Sequence, residues 1–90
     1  MISRQVFYEG RVQGVGFRWT VKNVARGFDV VGSVRNLEDG RVELHVRGED
    51  DEVAAFLEAV AESDLKSHIK RVETHPLADM SPTRGFEIVQ

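Results

Sequence analysis

Cysteine is absent from this chain of 90 residues, which removes disulfides, thiolate nucleophiles and cysteine-based zinc or iron–sulfur centres in one step. Any site must be built from oxygen, nitrogen and charge. Long apolar runs are absent too: the longest clear one, 53–57, falls far short of the roughly 20 residues of a membrane-spanning helix. The first residues carry no basic segment followed by an apolar one, so no export signal is read there, and a soluble protein of the cytoplasm is expected. There is no excess of positive charge. Twelve Lys and Arg stand against fifteen Asp and Glu, a net charge of -3, which argues against a nucleic-acid module held by a basic surface.

What is present is unevenly distributed. Residues 1–36 hold six basic side chains (Arg4, Arg11, Arg18, Lys22, Arg26, Arg35) and two acidic ones (Glu9, Asp29), so that segment is +4 and the remainder -7. A small acidic protein with one cationic segment suits a compact anion site better than a polyanion track. The apolar share of 41% and the charged share of 30% allow a real core, and a chain of this length is expected to form one domain, 1–90.

Alternation of Val6 and Tyr8 against Phe7 and Glu9 predicts a first strand over 5–11, running into glycine. Phe17, Val21, Val24, Ala25 and Phe28 then recur at helical spacing, which predicts a helix over 17–26 that stops at Gly27 in a left-handed cap. Two alternating runs, 30–37 and 41–47, flank Glu38-Asp39-Gly40 and read as a hairpin. Val42, Leu44 and Val46 face inward; Arg41, Glu43, His45 and Arg47 face out. Acidic residues Glu49 to Glu52 announce a second helix carried by Val53, Phe56, Leu57, Val60 and Ala61. A connecting loop over 63–67, a strand over 69–74, an irregular crossing over 76–85 and a short strand over 86–89 complete the chain. Phe7, Phe28, Phe56 and Phe86 read as core, and Trp19 as a packing residue at the loop edge. The order β-α-β-β-α-β implies an α+β, ferredoxin-like sandwich: an antiparallel sheet with two helices on one face.

The strand–loop–helix unit at Arg11-Val12-Gln13-Gly14-Val15-Gly16-Phe17 is the part that suggests chemistry, because such a turn presents backbone N–H groups and a positive helix end to an anion. The dinucleotide fingerprint lacks its third glycine here, and no Gly-Lys-Ser/Thr follows to make a P-loop, so the anion should be small. Arg18 lies in the first helical turn, where the helix dipole opposes a cation by roughly 0.3–1 kcal/mol. A bound phosphate reverses that sign, since guanidinium and N–H groups then point at the same oxygens.

Three blocks, Gly10-Arg11-Val12-Gln13-Gly14-Val15-Gly16-Phe17-Arg18, Gly32-Ser33-Val34-Arg35-Asn36 and Asp39-Gly40-Arg41-Val42-Glu43, resemble the acylphosphatase family. The likeness spans 5–48 in order, with Ser33 standing where the family often has an aromatic residue. It implies a ferredoxin-like enzyme that hydrolyses the carboxyl–phosphate anhydride of acyl phosphates, releasing inorganic phosphate, without metal or organic cofactor. The family's phosphate cradle falls on the backbone of Gln13, Gly14, Val15, Gly16 and Phe17, its essential arginine on Arg18 and its water-positioning asparagine on Asn36. By parity Asn36 shares a sheet face with Val34 and Gly32.

That chemistry needs few groups. A carboxylate leaving group is stable at neutral pH, so no general acid has to protonate it, and the charge of a loose phosphoryl-transfer transition state sits on oxygens that N–H groups and Arg18 can meet. His45, His68 and His75 are scattered without metal-ligand spacing. A non-catalytic phosphate- or anion-binding regulatory module of the same fold remains open, because the cradle and Arg18 would bind phosphate whether or not Asn36 positions water. An RNA-binding module is disfavoured, since residues 41–47 carry no aromatic for base stacking. The expected partners are therefore a small acyl phosphate and its phosphate product, with no nucleic acid and no membrane, handled by a monomer.

Overall fold

The computed structural model describes residues 1–78 and 84–89. Strand β1 (Ile2–Gly10) is followed by helix α1 (Phe17–Ala25), the hairpin strands β2 (Val30–Asn36) and β3 (Val42–Gly48), and helix α2 (Asp50–Ala61). A 3-10 turn (Asp64–His68) then leads into β4 (Ile69–Pro76), and β5 (Phe86–Ile88) closes the described part. The segment predicted as a connecting loop is thus the 3-10 turn, capped at its start by the Ser63 hydroxyl, which accepts from the Leu65 N–H at 3.2 Å. The predicted crossing lies in part outside the described residues, and its first residue, Pro76, instead ends β4. A proline is tolerated there because β4 is an edge strand, and its neighbour β1 does not need that N–H.

The sheet runs β4-β1-β3-β2-β5. The first four strands pair antiparallel, as the ferredoxin-like reading requires, but β5 joins the outer edge of β2 in parallel, with Val34 opposite Ile88. The sheet is therefore mixed. Both helices cover one face, and Val6, Tyr8, Val34, Val42, Leu44 and Val46 point into the core beneath them with Phe17, Val21, Val53, Phe56 and Val60. Gly32 is a close-approach position: a Cβ there would overlap the His45 carbonyl oxygen on β3.

Two sequence expectations are corrected. Gly27 does not adopt a left-handed conformation; α1 instead tightens as it ends, with the N–H groups of Arg26, Gly27 and Phe28 donating to the carbonyls three residues back at 3.0–3.2 Å. This satisfies the orphan carbonyls without positive φ. Phe7 is not in the core. Strand alternation puts it on the helix-free face, where the Arg41 guanidinium lies 4.5 Å above its ring centre and His75 meets its edge.

That helix-free face carries a buried carboxylate. Glu43 is only 6% exposed, covered by Arg35, whose Nε donates to it at 2.6 Å, by Gln5 at 2.7 Å and by His45 at 3.2 Å. The cluster fastens β2 to β3 one residue before Asn36. Burial pushes the carboxyl up, but the Gln5 and Arg35 hydrogen bonds and the His45 and Arg35 charges outweigh it, so the net displacement is downward. A carboxyl with a lowered folded pKa stabilises the fold fully above its unfolded value, near 4.5, and loses that contribution as pH falls through the folded one. Thermal melts should therefore show Glu43→Gln less stable than wild type at neutral pH, with the gap closing as pH falls below about 4.5; a gap independent of pH would mean that the charge of Glu43 is not coupled to folding.

Candidate active site

The loop between β1 and α1 is shaped by two glycines. Gly14 and Gly16 have φ of 78° and 76°, while no non-glycine residue among those described has positive φ. Neither lacks room for a Cβ, so glycine is required there by backbone conformation, at a cost of roughly 1–3 kcal/mol for any other residue. Left-handed glycines alternating with an ordinary residue turn successive N–H groups toward one side, the geometry of an anion nest.

Gly16 is also the N-cap of α1, and it has no side chain to offer the helix. The first internal bond runs from the Thr20 N–H to the Gly16 carbonyl at 2.9 Å, which leaves the amides of the preceding helical residues without an intrahelical acceptor. The two helices contrast sharply. The first turn of α2 contains Asp50, Asp51 and Glu52, whereas that of α1 contains no acid and one cation, Arg18. Among the described residues no carboxylate forms an ion pair with Arg18, although Arg35, Arg41 and Arg71 all have one. Positive helix end and positive side chain are thus concentrated at one point, and an external anion is what both lack.

The loop is held at both ends and in the middle. The Arg11 N–H donates to the His68 carbonyl at 2.9 Å. Phe17 is 2% exposed and packs on Tyr8 with ring centres 5.0 Å apart, seating the start of α1 on β1. Between them the Gln13 amide reaches across to the hairpin, its Nε2 donating to the Leu37 carbonyl at 2.7 Å and the Arg41 carbonyl at 3.0 Å. Those carbonyls are themselves set by the turn, in which the Leu37 N–H donates to the Arg41 carbonyl, the Gly40 N–H donates to the Leu37 carbonyl and the Asp39 carboxylate accepts from the Arg41 N–H and Nε.

A pocket of about 180 Å³ is lined by Val12, Gly14, Gly16, Phe17, Arg18, Trp19, Asn36 and Ile88. Arg18 and Asn36, 18 positions apart in sequence, thus come together with Gly14, Gly16 and Phe17. Gln13 and Val15 line a second, more open cavity with Arg11, Gly40 and His68. The resemblance implies a backbone role for Gln13; its side chain is in addition the loop's brace, a role visible only once the hairpin is folded beside it. Trp19, expected to pack at the loop edge, is 66% exposed and stands in the wall of the Arg18 pocket. Ile88 was missed because nothing in the sequence tells which strand β5 joins. Among the described residues no group of three or more His, Asp or Glu is arranged to hold a metal, and no helix is long and apolar enough to cross a membrane.

A volume of about 180 Å³ is below the roughly 300–1,000 Å³ of pockets for drug-sized ligands, so a small ligand with an anionic end fits best. The molecule is, by class, an α+β protein with a small pocket at the uncapped start of α1. The sequence model of the acylphosphatase family matches residues 4–88. The acylphosphatase of Lacticaseibacillus paracasei is 36% identical over 88 residues, covering 97% of this chain and 95% of its own length. The crystal structure of acylphosphatase from Bacillus subtilis aligns at a TM-score of 0.89 and 32% identity, covering 100% of both chains. Full-length HypF in its phosphate- and nucleotide-bound form aligns at a TM-score of 0.84 and 27% identity, covering 99% of this chain but 12% of its own. The chain belongs to the acylphosphatase family of enzymes.

The brace can be tested apart from turnover. Replacing Gln13 by Ala should cost about 1 kcal/mol, or some 4–8 °C in Tm, and weaken phosphate binding in a calorimetric titration. Gln13→Glu should be worse, since a carboxylate cannot donate to two carbonyls and adds negative charge beside the loop; unaltered phosphate affinity in Gln13→Glu would show that the brace does not shape the anion site.

Proposed function

We propose that this enzyme hydrolyses acyl phosphates to a carboxylate and inorganic phosphate by direct attack of water on phosphorus. The phosphoryl group is held by the backbone N–H groups of Gln13 to Phe17 and by Arg18, and Asn36 orients the attacking water. The observation that carries this reading is the shared pocket of Arg18, Asn36, Gly14 and Gly16 at the uncapped end of α1.

In the reaction a new bond forms from the water oxygen to phosphorus, and the bond from phosphorus to the bridging oxygen breaks. The bridging oxygen leaves with its electron pair as carboxylate. One proton of the water passes to a phosphate oxygen, so acyl phosphate dianion and water give carboxylate and dihydrogen phosphate. Arg18 and the loop N–H groups match the equatorial oxygens, where charge accumulates in a loose transition state. The Asn36 side chain carries both a donor and an acceptor, which suits it to fix a water in line with the leaving group, a gain of orientation. The same reading takes the enzyme as a single-domain monomer of the cytoplasm that needs no metal or organic cofactor.

Acetyl phosphate hydrolysis in excess EDTA tests it. Wild type should turn over without metal. Arg18→Ala should lose phosphate binding and lower kcat/KM by about 10²–10³-fold, whereas Asn36→Ala should lower kcat by about 10²-fold while still binding phosphate. Wild type that binds phosphate without turnover above background would replace this reading with a non-catalytic anion-binding module.

A further inference from the structure

We propose that the cavity framed by Arg11 and His68 is a second anion site, separate from the Arg18 pocket, and that it takes a small organic carboxylate. The two cavities divide one loop between them. Gly14 and Gly16 line the Arg18 pocket, Gln13 and Val15, which alternate with them, line the other, and Val12 alone is shared. The second cavity is the larger, at about 610 Å³, and falls within the roughly 300–1,000 Å³ of small-molecule sites. Its charge is one-sided, since no acidic side chain lines it. Arg11 is exposed, His68 is half-buried, and among the described residues neither has an ion-pair partner.

The fold holds these two cations together. The Arg11 N–H donates to the His68 carbonyl at 2.9 Å, which joins the end of β1 to the 3-10 turn. The acids that flank the lining glycines are already compensated: Glu9, beside Gly10, by Arg71 at 3.5 Å, and Asp39, beside Gly40, by Arg41 at 2.8 Å. The remaining donors select the ligand. The Arg11 N–H is engaged with His68, the Gly40 N–H with the Leu37 carbonyl and the Gln13 amide with Leu37 and Arg41, so the side chains of Arg11 and His68 make the polar contacts here. A phosphate is best met by several convergent N–H groups. A planar carboxylate needs only the guanidinium fork and one further donor, and Val15, 38% exposed, offers its short apolar body a surface to cover.

The test is an NMR titration of the full chain with sodium butyrate at constant ionic strength, in wild type, Arg11→Ala, Arg11→Lys, His68→Ala and Arg18→Ala, with sodium chloride as the control. In wild type the amides of Arg11, Val15, Gly40 and His68 should shift to saturation. Arg11→Ala should weaken butyrate about tenfold, and His68→Ala should weaken it less. Arg11→Lys, which keeps the charge and the stem but loses the fork, should recover only part of the affinity, and Arg18→Ala should leave these four shifts unchanged. Butyrate shifts confined to Gly14, Gly16 and Asn36, or lost in Arg18→Ala and kept in Arg11→Ala, would overturn the proposal by seating the carboxylate in the Arg18 pocket. Shifts that chloride reproduces would also overturn it, because they report screening rather than a site. Butyrate binding is read without turnover, so this site and the hydrolase reading stand or fall separately.

Discussion

The site depends on one bridge between parts of the chain that share no local structure. The Gln13 amide spans from the glycine loop to two carbonyls of the β2–β3 hairpin, and so couples the segment that presents N–H groups to the segment that ends in Asn36. Hydrogen bonds of this kind are individually modest, about 0.5–1.5 kcal/mol net, but they act here on a loop that buries one side chain, Val12. Gly14 and Gly16 supply conformation without contacts. Position therefore comes from buried Val12 together with Phe17 against Tyr8, the Arg11 amide on His68 and the Gln13 brace.

Electrostatics then follow from what the two helices do with their N-termini. In α2 the acidic first turn opposes the positive end of the helix, the ordinary arrangement that stabilises a helix by a few tenths to about 1 kcal/mol. In α1 that compensation is missing and an arginine takes its place, which is unfavourable for folding and favourable for anion binding. Glu43, buried among Arg35, Gln5 and His45 on the helix-free face, holds the hairpin whose end carries Asn36. Charge is thus neutralised at Glu43 in the sheet and left uncompensated at the start of α1.

The polar and apolar parts of the pocket come from different levels of organisation. Arg18 and Trp19 are neighbours in the chain, so their divergence is a property of the helix alone. Asn36 and Ile88 meet them only because β2 and β5 lie side by side at the sheet edge nearest α1. A short parallel strand is a weak element by itself, with three residues and few hydrogen bonds, yet Phe86 packs on Phe56 at 5.5 Å and fastens it to the core.

Much of this was legible in the sequence, since periodicity is a local property. The alternation of Val42, Leu44 and Val46 with Glu43 and His45, and the helical spacing of Val53, Phe56 and Val60, determine element type and the buried face. The Gly14-Val15-Gly16-Phe17-Arg18 block and Asn36 were identified by resemblance, and their backbone demands are visible in composition. Tertiary structure alone decided the rest. Phe7 alternates like a core residue, but it lies on the open face because Val6 and Tyr8 claim the covered one; Gly27 has the composition of a left-handed cap, but the helix ended by tightening instead. Trp19 looked like packing until its neighbours were known, and the edge joined by β5 follows no local pattern. Conformational preference and amphipathic period are written into consecutive residues, whereas exposure and partnership depend on groups far away in the chain, and these become defined only when the chain has folded.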